Sequence, residues 1–128
     1  MFDQRKMSVR NGIISYLELA SSPDAQRAYE RRVPVARVPD ELILTWEDLG
    51  LVTDSDWYGE PEFSFAEQAA IREFHQVWRA VSDEVRDPIP PTIEALIGTA
   101  VWQRLIDGAR KALVVFAKRG RLDGPGSS

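Results

Sequence analysis

Apolar residues recur at helical spacing along most of this chain, and the clearest run is Ala70, Ile71, Phe74, Val77, Trp78, Val81 and Val85. Three- and four-residue steps keep such a set on one side of a 3.6-residue helix. Ser64 and Glu67 precede the run as an S-x-x-E capping box, so the spacing predicts a helix from about 64 to 85 at the centre of the fold. A second regular stripe, Trp102, Leu105, Ile106, Ala109, Ala112, Leu113 and Phe116, follows Thr99 as N-cap and ends at Gly120.

Shorter patterns fill the N-terminal half. Asn11 is read as the N-cap of a first helix carrying Ile13, Ile14, Tyr16, Leu17 and Ala20. Ser22-Pro23 is a helix-start signal, because proline at the first helical position loses no needed hydrogen bond. The helix it opens is expected to bury Ala25, Ala28 and Tyr29. Pro34 and Pro39 bracket an extended piece at Val35-Ala36-Arg37-Val38, read as a linker with a short edge strand as the alternative, since proline and the residue before it resist helix. A short helix from Asp40 to Leu49 then places Leu42, Ile43 and Trp46 inward and stops at Gly50. Residues 51–63 are expected to form an ordered acidic loop, and Thr92 is expected to cap a brief turn from Ile93 to Ile97 that ends at Gly98. The reading is an all-α, single-domain bundle of about five to six helices, covering 1–121 and followed by a disordered Gly/Ser tail at 122–128.

Composition supports a globular chain: 128 residues, 44% hydrophobic and 28% charged. With no cysteine, the chain has no disulfide, no thiol chemistry and no thiolate metal site, and a reducing cytoplasm is the expected setting. No run approaches the roughly 20 apolar residues of a membrane span, and none has the length of a signal-peptide core. Neither a membrane association nor an export signal is expected.

Charge changes the picture more. Between Val38 and Ile71 lie nine carboxylates, Asp40, Glu41, Glu47, Asp48, Asp54, Asp56, Glu60, Glu62 and Glu67, with no lysine or arginine. Acids at 40, 41 and 67 suit the first turns of helices, where the dipole favours them. The other six surround Trp57 and Tyr58. An acidic surface with central aromatic anchors is the physical design of a protein that captures a basic partner. The candidate partner surface is therefore Glu47, Asp48, Asp54, Asp56, Trp57, Tyr58, Glu60 and Glu62, and an inhibitor of immunity type, binding a basic protein, is the leading expectation.

A secondary basic face lies on the last helix, where Arg104, Lys111 and Lys118 are spaced by seven. No aromatic residues are interleaved with these cations, and the chain's net charge is −4, so nucleic acid is not the expected partner. Val114 and Val115 beside that line suggest a helix with a second apolar side and a homodimer contact.

Catalytic templates fail. Asp54-Ser55-Asp56-Trp57-Tyr58-Gly59 begins like a calcium loop, but Tyr58 stands at position five and Phe65 at position twelve, where oxygen ligands are required. His75 is the only histidine and has no histidine partner for a metal; packing rather than catalysis is expected of it. No nucleophile elbow, phosphate loop or dinucleotide fingerprint occurs. No metal, cofactor or catalytic residue is assigned. The expectation is a binding module, with a homo-oligomeric helical subunit, or a pocket lined by Trp46, Trp78, Trp102 and His75 serving a ligand or an enzymatic reaction, as alternatives.

Overall fold

The computed structural model describes residues 3–33, 35, 37–48, 58–85 and 89–121. Among them are five α-helices and no strand: α1 (Gln4–Ala20), α2 (Pro23–Arg32), α3 (Val38–Asp48), α4 (Phe65–Val85) and α5 (Ala100–Ala117), with a 3-10 turn at Ile93–Ala95 before α5. The all-helical bundle expected from the periodicity is what the chain forms. The expected C-cap at Gly50 and the tail at 122–128 lie outside the described residues.

The helix starts follow local hydrogen-bond chemistry. Ser22 Oγ accepts from Ala25 N and Thr99 Oγ1 from Trp102 N, closing the first turns of α2 and α5. Ser64 and Glu67 form the reciprocal pair expected of them: Ser64 Oγ accepts from Glu67 N at 3.2 Å, and Glu67 Oε1 accepts from Ser64 N at 2.9 Å. At the far end of α5, Gly120 takes φ +69° and donates its N–H to Phe116 O, a left-handed helix stop.

Three starts or faces differ from the sequence reading. α1 begins at Gln4, not after Asn11, because Asp3 caps it by accepting from Arg5 N and Lys6 N. Its inner stripe therefore runs Met7, Arg10, Ile13, Ile14, Leu17 and Ala20, with a charged residue in a core position. α3 opens at Val38, which is buried rather than part of a linker. Within α2 the fully buried residue is Gln26, whereas Ala25 and Tyr29 are half-buried and Ala28 is exposed. The Gln26 amide is satisfied on both ends: its Nε2 donates to Leu19 O and Ala20 O, and its Oε1 accepts from Trp102 Nε1 at 3.0 Å. Burying an amide costs little when its donors and its acceptor are all engaged.

α5 occupies the middle of the molecule, with α1 along one side and α4 along the other. It runs antiparallel to α4: Arg119 at its end reaches Glu67 at the start of α4, Arg104 near its start reaches Glu84, and Gly108 lies level with Val77. A Cβ on Gly108 would stand 3.1 Å from Val77 Cγ1, so glycine permits the close approach at this crossing. α3 closes the core from above α1, with Trp46 packed on Tyr16 and Phe74 at ring-centroid distances of 5.2 and 4.6 Å. The Tyr16 hydroxyl donates to Leu42 O at 2.7 Å, and burial pushes that phenol above its ordinary value. α2 is tied to the 3-10 turn by Arg27 with Glu94 at 2.5 Å and by Glu30 accepting from Ile93 N.

Candidate functional site

The expected partner-binding residues separate by burial. Glu47, Asp48 and Glu60 are exposed. Asp54, Asp56 and Trp57 lie outside the described residues. Tyr58 and Glu62 are buried and committed to the fold: Tyr58 packs edge-on against Phe63 at 5.2 Å, and Glu62 Oε2 accepts from Asp3 N at 2.6 Å. These two act as internal fasteners and present no group to a partner.

Glu67, another of the nine acids between Val38 and Ile71, is bound on several sides. It is 1% exposed and receives Arg10 at 2.5 Å and Arg119 at 2.6 Å, in addition to Ser64 N. Arg10 is 0% exposed and also donates to Glu62 O and Gly120 O, and its guanidinium sits 5.0 Å over the Phe116 ring. Arg119 adds hydrogen bonds to Pro61 O and Glu62 O. Burial alone would raise the Glu67 carboxyl, but the hydrogen bonds from Arg119, Arg10 and Ser64 outweigh it and hold the group at about 2. This cluster ties together α1, the turn at 58–64, the start of α4 and the end of α5. Its members are all satisfied by one another, which makes it a structural clasp. Arg10 is invisible to apolar pattern reading, although its spacing of three, four and seven from Ile13, Ile14 and Leu17 places it on the same stripe.

On the basic face Arg104 is engaged, as are arginines near it. Arg104 pairs with Glu84 at 2.6 Å, Arg110 donates to Ser21 O, and Arg121 holds Glu18 and Ser15. Lys111 and Lys118 remain exposed on α5. Val115 is half-buried against the core and Val114 is 65% exposed.

The described tryptophans are core. Trp46 and Trp102 are fully buried, and Trp78 donates Nε1–H to Ile43 O. His75 is half-buried, stacked 5.4 Å from Trp78 and accepting through Nδ1 from Trp46 Nε1 at 3.2 Å. Burial, and to a lesser degree the charge of Arg79, lowers its pKa below the ordinary histidine value. An imidazole that accepts through one nitrogen is neutral, with its proton on the other. Among the described residues no cluster of three His, Asp or Glu side chains is arranged to hold a metal ion, and no helix is long and apolar enough to cross a membrane.

A concavity lies elsewhere, along the outward seam of α4 and α5. It is an open groove of about 780 Å³, with Ala66, Ala69, Val77, Ala80, Gly108 and Val115 among its lining residues. Small side chains keep its floor close to the two backbones. Glu73 stands on its α4 rim and Lys111 on its α5 rim; neither forms an ion pair or hydrogen bond among the described residues. The α4 rim is legible as a second stripe, because Ala66, Ala69, Glu73, Gln76 and Ala80 follow a 3-4-3-4 spacing, the period of a helix-packing seam. Polar residues among the alanines hide it from a search for apolar residues.

Comparison with protein-family models, with curated proteins and with solved structures finds no match to this chain.

Proposed function

We propose that this protein is a non-enzymatic binding module whose docking surface is the groove between α4 and α5. The observation that carries the reading is the groove itself: a mostly apolar, alanine-rich lining along the two helices, with Glu73 on one rim and Lys111 on the other, opposite charges that form no ion pair or hydrogen bond among the described residues. Helix faces of this shape receive other helices, because alanine and glycine let backbones approach while the rim charges set register. The surrounding chemistry agrees. The lone histidine accepts a hydrogen bond from a core tryptophan, and the strongest carboxylate cluster is internally neutralised, so neither is offered to a substrate.

The experiment is site-specific photocrosslinking. A benzophenone side chain at Ala69, in the groove, is compared with one at Arg31, exposed on α2, in extract of the cells the protein comes from. Discrete protein adducts at position 69 and none at position 31 are expected; no adduct at 69, or the same adducts at both, overturns the reading.

A second reading keeps the acidic segment as a surface for a basic protein. What favours it is that Glu47, Asp48 and Glu60 remain at the surface. Reversing Glu47, Asp48 and Glu60 to lysine should then abolish a salt-sensitive association that Ala69→Arg leaves intact.

A further inference from the structure

We infer that the partner seated on the α4–α5 groove is a second copy of this chain, related by a two-fold axis parallel to the two helices. The inference rests on the docking reading above and names its occupant.

The levels and signs of the rim charges single out this partner. Because α4 and α5 are antiparallel and Gly108 lies level with Val77, each residue of α4 has a counterpart on α5 at the same height. Glu73, one turn before Val77, is level with Ala112, one residue from Lys111. A two-fold axis lying in the groove and parallel to the helices preserves height and exchanges the two sides. It therefore lays α4 of one copy over α5 of the other, antiparallel, and sets Glu73 of each copy against Lys111 of its partner. Both contacts form at once, as a closed two-fold interface requires. An axis perpendicular to the helices would instead lay α4 on α4 and α5 on α5, so that Glu73 faces a helix whose groove-lining residues include no cation. The groove is thus complementary to itself in one orientation, a property that a groove built for an unrelated helix has no reason to possess.

Size is sufficient. Helices of 21 and 18 residues are about 31 and 27 Å long. Two of them side by side at about 9 Å present a face of roughly 500 Å² per copy, on the order of 1,000 Å² in all, the lower bound of a specific interface. A dimer of this area is expected to be moderate in affinity. Glu73 and Lys111, absent from every ion pair among the described residues, acquire partners in it, and Val114, with its exposed side chain, stands on the same helix.

Sedimentation equilibrium on the purified full chain tests this, with Glu73→Lys, Lys111→Glu and an equimolar mixture of the two. Both substitutions lie on exposed helix surface and leave the core untouched. Wild type is expected to dimerise. Each variant alone sets two like-charge pairs in its own dimer and should weaken it roughly ten- to a hundredfold. In the mixed dimer both contacts are opposite-charge pairs: the lysine introduced at position 73 of the first variant meets the acid introduced at position 111 of the second, while the native Glu73 of the second meets the native Lys111 of the first. The mixture should therefore return to near wild-type affinity. A pair formed within one chain would be lost in both variants and not regained on mixing. Wild type that stays monomeric at millimolar concentration, or a dimer indifferent to either substitution, overturns the proposal. Crosslinked adducts at position 69 of some other mass would leave the docking reading standing while removing self-association; no adduct would remove both.

Discussion

Replacing Glu67 by glutamine keeps the shape of the side chain and removes its charge from a site where two arginines converge. Arg10 cannot turn to water, being 0% exposed, and its remaining acceptors would be neutral: the introduced amide oxygen and the carbonyls of Glu62 and Gly120. Breaking a buried ion pair by removing one partner costs about 3–5 kcal/mol, because the surviving charge stays desolvated. The same contacts act through linkage: holding the carboxyl at about 2 against an ordinary 4.5 corresponds to roughly 3 kcal/mol in favour of the fold. A loss of this order is a large share of the roughly 5–15 kcal/mol that a domain possesses. The sign with pH follows from the depressed value: the contribution is complete above about pH 4.5 and is lost as pH falls toward 2. Urea unfolding of wild type and Glu67→Gln at neutral pH should show the midpoint falling with unchanged slope, by the equivalent of about 3 kcal/mol. Wild type should then lose stability between about pH 4.5 and 2 more steeply than the variant. A neutral-pH loss below about 1 kcal/mol, or identical acid profiles, would refute the clasp.

Three further outcomes follow from the same geometry. Ser64→Ala removes one half of the capping box but leaves the arginine contacts of Glu67, so it should cost about 1 kcal/mol, clearly less than Glu67→Gln, in the same urea assay. Gln26→Leu strands the Trp102 indole N–H in the core and should cost about 1–3 kcal/mol, although it adds a hydrophobic side chain to a buried site; a stabilised variant would contradict the hydrogen bond. His75 should titrate below the ordinary 6.5 by NMR. Since the unfolded chain takes up that proton first, its stability contribution is complete above about pH 6.5 and declines as pH falls below it; a measured value at or above about 6.5 would contradict the burial of the ring beside Arg79.

Much of this architecture can be read from local signals acting on their own helices. Ser22-Pro23, Ser64 with Glu67, Thr99 and Gly120 each mark a helix end through bonds that span a few residues, and the long stripes of α4 and α5 bury most of the residues their spacing selects. What escapes are buried polar groups whose partners are remote in sequence. Arg10 is a core residue because Glu67 and Gly120 come to it from 57 and 110 positions away, and Gln26 because Trp102 comes from 76. Asn11 misplaces the start of α1 for a related reason: the first dense apolar cluster opens at Ile13, and Arg10 interrupts the stripe that leads back to Met7 and Asp3. Of the candidate surface, the basic line on α5 is visible by its seven-residue spacing. That Arg104, Arg110, Arg119 and Arg121 are engaged in contacts within the chain depends on tertiary neighbours, and so does the pairing of the two rims into one groove.

The most direct test of the account is a dilution series of ¹H–¹⁵N spectra on the wild-type chain, since it reports both whether a second copy binds and where. The account predicts concentration-dependent shifts confined to the outward seam, at Ala66, Ala69, Glu73, Ala80, Gly108 and Lys111, with α2 and α3 silent. Spectra unchanged from micromolar to millimolar, or shifts that map to Glu47, Asp48 and Glu60 instead, would contradict it.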